Sequence, residues 1–359
     1  MFDPHVTEEE VEAARKVILS KNWASGSGDG LVKEFEQKFN QYIGSDEAVA
    51  VNSGTAALHL SMMISNVQGK NVFVPSLSFV TTVHSLSYTG AKPIFVDIKE
   101  DTLCIDPDDL EQKIQNHGGI IALPVHFGGM PCDLVKIKKI CKNHALLLID
   151  DAAHVCGGEI NGTKIGKIAD LTCFSFHPVK NLAMPTGGAI TINNKDAFIL
   201  SNKLKSLRWC GIDNRRGIFY DVTSISPNYY MNEISASIGL VQLKKLDLLN
   251  KKRREIAKRY AREIKLETKM KYEENCVYHL YWIVTNNREE FIRFLNENEI
   301  EVGTHYRPIH NMTVYNDYKN IELPVTNYVS NKVVTLPIHP NLTDSEITHI
   351  IDTINKFVS

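Results

Sequence analysis

The chain has 359 residues, of which 43% are hydrophobic and 23% are charged, and its 40 basic and 42 acidic side chains give a formal net charge of −2. This length predicts two domains rather than one, and the composition is that of an ordinary globular protein. A nucleic-acid-binding surface is not indicated, because the most basic run, residues 251–254, lies in a helical stretch mixed with acids, where a solvated helix face is expected.

The N-terminal residues carry a helix signal and no targeting signal. Thr7-Glu-Glu-Glu10 has the capping-box pattern, and no apolar h-region of a signal peptide precedes or follows it. No apolar run approaches the roughly 20 residues that cross a bilayer. The 7 cysteines are dispersed without a C-x-x-C pair, and the histidines show no metal-ligand spacing. These features argue against a disulfide framework and a zinc site, and we expect a soluble, cytoplasmic protein.

Short apolar runs alternate with amphipathic segments along the first two-thirds of the chain. The predicted strands are residues 48–51, 71–74, 93–96, 119–124, 145–149, 171–176 and 189–192, and helices are predicted between them at 55–64, 79–88, 108–115 and 134–143. This alternation is typical of a largely parallel sheet covered by helices. The continuous apolar run at 145–149 fits a strand that is buried on both faces.

A long helical pattern begins at Glu233 and continues through SASIGLVQLKKLDLLNKKRREIAKRYAREI. Beyond it the sequence predicts a smaller α+β unit, with a strand at 276–285, a helix at 289–298, the segment 299–310, and a last helix introduced by the capping-box pattern Thr343-Asp-Ser-Glu346. We therefore predict an α/β protein with a large domain, residues 1–250, and a small C-terminal domain, residues 251–359.

The first candidate for chemistry is Asn52-Ser-Gly-Thr-Ala-Ala57, which stands directly after the first predicted strand and directly before a helix. A Gly-Thr turn at a helix N-terminus offers free backbone N–H groups and a hydroxyl, so it can bind a phosphate group. The alternative is an ordinary helix cap, since short motifs of this kind also recur by accident.

Two further candidates follow in the chain. LLLIDDAAH, residues 146–154, places Asp150 and Asp151 at the end of a buried strand, where open α/β sheets have their sites. The alternative is a helix cap or a solvated turn. Lys180 then follows a strand, with Val179, Leu182 and other apolar neighbours. An apolar environment lowers the pKa of a lysine and makes its amine a nucleophile, although most lysines are surface charges.

These three features, in this order and at these spacings, match the fold-type-I pyridoxal-phosphate (PLP) enzymes. More narrowly, the chain resembles the DegT/DnrJ/EryC1/StrS family of sugar aminotransferases from near residue 10 to the C-terminus. The resembling stretches are SGDGLVKEFEQKF, AVAVNSGTAALHL, VFVPSLSFVTTVHSLSYTGAKPIFVDI, LPVHFGGMPCD, LIDDAAH, CFSFHPVK, SPNYYMNEISASIGLVQL and TLPIHPNLT. The resemblance implies a large domain with a mostly parallel sheet between helices, and a smaller C-terminal α+β domain.

The resemblance also implies the roles of the catalytic pair. Lys180 would carry PLP as a Schiff base and then move the proton during transamination. Asp151 would pair with the pyridinium nitrogen and keep it protonated, so that the ring accepts electrons. His154 would lie near the phenolic oxygen of the cofactor, where the family often has glutamine, and Phe79 would stack on the pyridine ring.

The remaining implied roles concern the cofactor phosphate and a second subunit. Gly54, Thr55 and Ser175 would hold the phosphate. Because the sites of the family form at a dimer interface, Asn228 would reach the phosphate of the neighbouring subunit in a homodimer with shared active sites. For Phe79 and Ser175 a position in the core is the alternative.

The implied reaction moves an amino group from L-glutamate to a keto-sugar carried on a nucleoside diphosphate, at C3 or C4 of a deoxyhexose, in amino-sugar and polysaccharide biosynthesis. One alternative is a PLP-dependent sugar dehydratase of the same fold, whose members have histidine in place of the lysine. Another is a catalytically idle PLP-binding regulatory protein. The Lys180 and Asp151 pair argues against both. A nicotinamide dehydrogenase is excluded because no G-x-G-x-x-G follows the first strand.

The chain departs from the family pattern at two positions. Thr186 stands where many members have an acid before the paired glycines, and Cys210 stands where the usual Arg-x-His-Gly has its histidine. We expect both changes to bear on the sugar specificity rather than on the chemistry.

Overall fold

The computed structural model describes residues 2–216 and 218–358. Its strands are β1 (Glu47–Val51), β2 (Asn71–Pro75), β3 (Lys92–Val96), β4 (Ile121–Ala122), β5 (Leu147–Asp151), β6 (Glu159–Ile160), β7 (Thr163–Lys164), β8 (Leu171–Ser175), β9 (Gly188–Ile192), β10 (Ile212–Arg216), β11 (Phe219–Val222), β12 (Tyr281–Val284) and β13 (Val333–Leu336). Its α-helices are α1 (Glu8–Ser20), α2 (Leu31–Ile43), α3 (Gly54–Ile64), α4 (Thr81–Tyr88), α5 (Pro107–His117), α6 (Leu134–Asn143), α7 (Ala197–Leu207), α8 (Glu233–Glu263), α9 (Arg288–Glu297), α10 (Pro324–Ser330) and α11 (Asp344–Val358).

Seven strands form the central sheet in the order β1-β9-β8-β5-β4-β2-β3. Strands β8, β5, β4, β2 and β3 are parallel, and β9 is antiparallel to both β1 and β8. Each of the seven strands predicted in the first two-thirds of the chain lies in this sheet, so the predicted α/β class is confirmed. The strand predicted at 119–124 is shorter than expected, because only Ile121–Ala122 pairs regularly.

The parallel order has a direct consequence for a site. Since β5 and β8 pair in parallel, with Asp151 opposite Cys173, their carboxyl ends meet at one edge of the sheet. Helix α3 begins at this edge, where Ser53 accepts a hydrogen bond from the backbone N–H of Ala56 at 3.1 Å. The capping predicted for α1 is also confirmed, because Thr7 and Glu10 form a capping box.

Helix α8 runs for 31 residues, as the periodic pattern predicts. Its first half packs with the cluster around Phe35 and Phe174, through residues such as Leu246. Its second half packs through Tyr260 against the C-terminal elements, which include Trp282 of β12. The predicted boundary at residue 250 lies within this helix, and the division into 1–250 and 251–359 stays a prediction. Among the helices of the described residues, none has the length and apolar character that a membrane crossing requires.

The C-terminal elements depart from prediction in one segment. Strands β12 and β13 pair antiparallel, and α9 and α11 lie where helices are predicted. The strand predicted at 276–285 is formed only by Tyr281–Val284. Residues before it are diverted, because the backbone N–H of Val277 donates to Gly129 and that of Leu280 donates to Gly128. Residues 276–280 therefore do not belong to the small sheet of β12 and β13, and they lie instead at the edge of the central sheet that carries Asp151.

Candidate active site

A cavity of about 340 Å³ opens at the carboxyl ends of β5 and β8, beside the start of α3. Its size is that of a small-molecule or cofactor site. Seven of the eight residues that the resemblance implies at the cofactor line it, although they lie far apart in the sequence. They are Gly54, Thr55, Phe79, Asp151, His154, Ser175 and Lys180.

One end of the cavity is built for an anion. The first turn of a helix has backbone N–H groups without an intrahelical partner, and here it contains Gly54 and Thr55. A Cβ atom at position 54 would lie 2.7 Å from Cβ of Ser175, closer than side chains approach. Glycine is therefore needed at position 54, because a residue without a side chain lets the start of α3 and the end of β8 lie close together around one bound anion.

The two adjacent acids at the end of β5 have different surroundings. Asp151 lines the cavity and is 3% exposed. Thr82 donates to its Oδ2 at 2.8 Å, and the backbone N–H of Ala153 donates to Oδ1 at 3.2 Å. Burial raises the pKa of this carboxyl, and the hydrogen bond from Thr82 opposes the rise. Asp150 is fully buried away from the cavity and accepts a hydrogen bond from Nε2 of His126 at 3.0 Å.

Lys180 lies between β8 and β9 and directs its amine into the cavity. Burial lowers the pKa of Lys180 to about 8, and the charge of Asp151 opposes this shift. Nζ lies 3.3 Å from Nε2 of His279. A lysine with such a pKa is partly unprotonated near neutral pH, so its amine can act as a nucleophile and as a base.

Aromatic side chains form the opposite wall. His154 is buried, and its Nε2 lies 3.2 Å from the hydroxyl oxygen of Tyr306. Burial holds the pKa of His154 well below its ordinary value, and the charge of Lys180 acts in the same direction, so the ring is neutral. Phe79 is 52% exposed, and its ring lies 6.0 Å from that of Tyr306. The alternative of a core position for Phe79 is therefore wrong.

Asn228 is the one implied residue that does not line this cavity. Its side chain is exposed, and its backbone pairs with Trp209 in an isolated bridge. Of the two departures from the family pattern, Thr186 lines the cavity, with its hydroxyl 3.4 Å from that of Ser235. Cys210 is exposed and is not among the lining residues.

Thr82, His279 and Tyr306 are among the polar side chains of the site that the sequence reasoning missed. A hydroxyl three residues after the implied stacking residue, Phe79, was the available signal for Thr82. No local signal marks His279 or Tyr306, because they reach the cavity only through the tertiary packing of the C-terminal elements.

The residues present fit PLP. The helix start at Gly54 and Thr55, with Ser175, suits the phosphate, and the buried carboxylate of Asp151 suits a cationic ring nitrogen. His154 keeps Nδ1 without a hydrogen-bond partner in the described part of the chain, although this atom is buried. A buried polar atom without a partner indicates a missing ligand group, and the phenolic oxygen of the cofactor would supply one.

Comparisons with known proteins agree with this fit. The family model of the DegT/DnrJ/EryC1/StrS aminotransferase family matches residues 4–355. GDP-perosamine synthase of Escherichia coli O157:H7 is 32% identical, with 100% of this chain and 98% of that protein covered.

Two solved structures are similar over almost their full length. The Helicobacter pylori PseC structure, an aminotransferase involved in the biosynthesis of pseudoaminic acid, is 27% identical with a TM-score of 0.92, covering 99% of this chain and 97% of that one. The PLP form of the putative sugar aminotransferase Spr1654 from Streptococcus pneumoniae is 27% identical with a TM-score of 0.90, covering 99% and 97%. This protein therefore belongs to the DegT/DnrJ/EryC1/StrS aminotransferase family and is a PLP-dependent transaminase.

Proposed function

We propose that this enzyme moves an amino group from L-glutamate to a nucleotide-linked 3-keto or 4-keto deoxyhexose, in the cytoplasm, in the biosynthesis of amino sugars for polysaccharides. The observation that carries the site assignment is the arrangement of Lys180 and Asp151, whose amine and buried carboxylate face one cavity. The names of the relatives support the substrate class, since GDP-perosamine synthases of two bacteria are among them.

Lys180 is the proposed catalytic residue. When bound, PLP supplies an electron-accepting ring on which an amino group can be held and transferred. The amine of Lys180 carries the cofactor at rest and, once released, moves the proton of the substrate. Its pKa of about 8 suits this exchange, because a group whose pKa lies near the working pH both gives and takes a proton readily.

Asp151 is proposed to pair with the ring nitrogen. Its two oxygens accept hydrogen bonds from Thr82 and Ala153, and this contact orients the carboxylate. Burial raises the pKa of the carboxyl on its own, and a cationic partner in the cavity would favour its charged form. The pair of charges would thus stabilise each other.

The other contacts are assigned by their place in the cavity. Gly54, Thr55 and Ser175 hold the phosphate, and Phe79 stacks on the ring through its exposed face. If the hydroxyl of Tyr306 donates to Nε2 of His154, the proton of the neutral imidazole is on Nδ1, and this atom can donate to the phenolic oxygen.

We further propose a homodimer in which Asn228 reaches the phosphate of the neighbouring subunit. Its exposed side chain, outside the cavity of its own chain, supports this role. The presence of Lys180 in the cavity disfavours the sugar dehydratase, whose members have histidine there. The idle regulatory protein is disfavoured because the buried carboxylate of Asp151 and the amine of Lys180 both line the cavity.

A panel of nucleotide-linked sugars tests the substrate class. The protein is first converted to its pyridoxamine form with L-glutamate, and each 3-keto or 4-keto sugar nucleotide is then added. We expect one member of the panel to restore the PLP absorption in a single turnover, while the matching 3-hydroxy or 4-hydroxy sugars do not. Failure of every keto-sugar, with the pyridoxamine form intact and 2-oxoglutarate restoring the absorption, would contradict the proposed acceptor.

A further inference from the structure

The contact between Lys180 and His279 has no role in the function proposed so far. Nζ of Lys180 lies 3.3 Å from Nε2 of His279. The imidazole is 1% exposed, so water does not compete for this nitrogen. When the amine of Lys180 is protonated it has only donors, and the hydrogen bond then runs from Nζ to Nε2.

His279 is held in place by backbone contacts on both sides of it. Val277 donates its N–H to the carbonyl of Gly129 at 3.3 Å, and Leu280 donates to the carbonyl of Gly128 at 3.1 Å. A Cβ atom at position 129 would lie 2.9 Å from the backbone nitrogen of His279, so glycine is needed for this close approach. The ring thus reaches Lys180 on a fixed backbone rather than on a free loop.

The lysine segment is tied to the same backbone. Asn181, the next residue after the lysine, donates through Nδ2 to the carbonyl of Val277 at 2.8 Å and to Oδ1 of Asn250 at 2.8 Å. Asn250 in turn donates to the carbonyl of Cys156 at 3.0 Å. These buried amides hold the segments of Lys180 and His279 at a constant separation.

The charge state of His279 suits an acceptor. Burial keeps the pKa of His279 well below its ordinary value, and the positive charge of Lys180 acts in the same direction. The ring of Phe2 stacks on it at 5.7 Å with an interplanar angle of 19°. A neutral imidazole can accept a hydrogen bond from the amine of Lys180, whereas a protonated imidazole would repel this amine.

Three other histidines line the cavity, and each has another partner; Nδ1 of His177 accepts a hydrogen bond from the backbone N–H of Val179 at 3.5 Å. His154 is bound to Tyr306, and Nδ1 of His305 lies 2.7 Å from the hydroxyl oxygen of Thr335. His279 is thus the histidine that faces the lysine amine. A lysine that leaves its cofactor stands on a flexible four-carbon stem, and an acceptor in a fixed position limits where the amine can go.

We propose that His279 is a positioning residue for Lys180, and that its Nε2 accepts a hydrogen bond from the lysine amine whenever this amine is free of the cofactor. The inference rests on the proposed role of Lys180 as the cofactor lysine. It assigns to the C-terminal elements a part in holding the catalytic amine, in addition to closing the cavity.

The test measures Lys180 itself in the full-length protein stripped of cofactor. The rate of acetylation of Lys180 is followed by mass spectrometry as a function of pH in the native protein, His279→Phe and His279→Gln. The phenylalanine keeps a stacking ring without an acceptor. The glutamine places Oε1 as many bonds from the backbone as Nε2 of histidine. His305→Gln serves as the matched control, because it alters a neighbouring histidine that does not contact the amine.

In the native protein, we expect the acetylation rate of Lys180 to rise with pH and to reach half of its maximum, its midpoint, near pH 8. Loss of an acceptor for the charged amine should lower it by about one pH unit or more in His279→Phe, while His279→Gln and His305→Gln stay near the native midpoint. An unchanged midpoint in His279→Phe, with native near-ultraviolet circular dichroism, would overturn the inference. If the phenylalanine variant does not fold, a lowered midpoint in His279→Leu with rescue in His279→Gln decides in its place.

A second measurement separates this inference from the proposed function. Borohydride is added to the cofactor-loaded variants, and the labelled lysine is identified. A label on Lys180 together with an unchanged acetylation midpoint means that only the positioning role of His279 is wrong. A label on another lysine means that the proposed site itself is wrong.

Discussion

Asp151→Asn removes a charge from the site and little else. In the native protein Oδ1 accepts from the backbone of Ala153 and Oδ2 accepts from Thr82. The amide can keep both contacts, because its oxygen accepts from Ala153 and its nitrogen donates to the hydroxyl of Thr82. That hydroxyl lies 2.8 Å from the hydroxyl oxygen of Ser78 and can turn its own proton there. Since burial disfavours the carboxylate, the neutral amide should not lower the melting temperature.

The rate should fall far more than the cofactor affinity. A neutral amide cannot hold the proton of a cationic ring nitrogen, and removal of one such preorganised electrostatic contact costs about 100-fold or more in rate. The assay is the single-turnover conversion to the pyridoxamine form with L-glutamate, together with the cofactor dissociation constant. Asp150→Asn is the control, because Asp150 binds His126 and does not line the cavity. Near-normal turnover in Asp151→Asn, or a larger loss in Asp150→Asn, would refute the assignment.

Two further predictions concern the lysine and the second subunit. Borohydride should fix the cofactor on Lys180, and peptide mapping that finds it on another lysine would disprove this. Lys180→Ala chains and Asn228→Asp chains, each shown to be inactive alone, should regain part of the activity when mixed, because one site of the heterodimer combines an intact lysine with an intact asparagine from the other chain. The aspartate is expected to repel the cofactor phosphate. No recovery after verified subunit exchange, or full activity of a monomer in sedimentation, would exclude shared sites.

The elements of the sheet could be predicted because each is a local pattern. The helix predicted at 134–143 is found at Leu134–Asn143, and the strand predicted at 71–74 is found at Asn71–Pro75. In these segments the apolar period agrees with the final packing. The pairing of β10 with β11 was not predicted, since all side chains of β11 are exposed and the strand therefore carries no alternation of buried and exposed positions.

The failures lie where tertiary contacts override local preference. The apolar run at 276–285 has the composition of a strand, yet the backbone of residues 277 and 280 bonds to the turn at Gly128 and Gly129. Because the backbone follows this path, His279 contacts Lys180. The apolar pattern of the segment, which is typical of a strand, does not indicate this contact. Departures from local consistency of this kind are expected at functional sites. The choice between Asp150 and Asp151 likewise came from the resemblance, and the buried contact of Asp150 with His126 gives it a physical reason.

Helix α8 has a consequence for how the molecule comes apart. Near its start, Ser235 touches Thr186 in the cavity wall, and farther along Tyr260 donates a hydrogen bond to the carbonyl of Pro337, next to β13. The two ends of α8 pack against different hydrophobic clusters. If either end unfolds, the cluster at that end loses packing contacts that the other end of the helix does not provide. Unfolding of the C-terminal elements by heat or denaturant should therefore also destabilise helix α8 and the cavity wall that its first turn contacts. We expect the visible absorption of the bound cofactor and the helical circular dichroism signal to be lost in one cooperative transition.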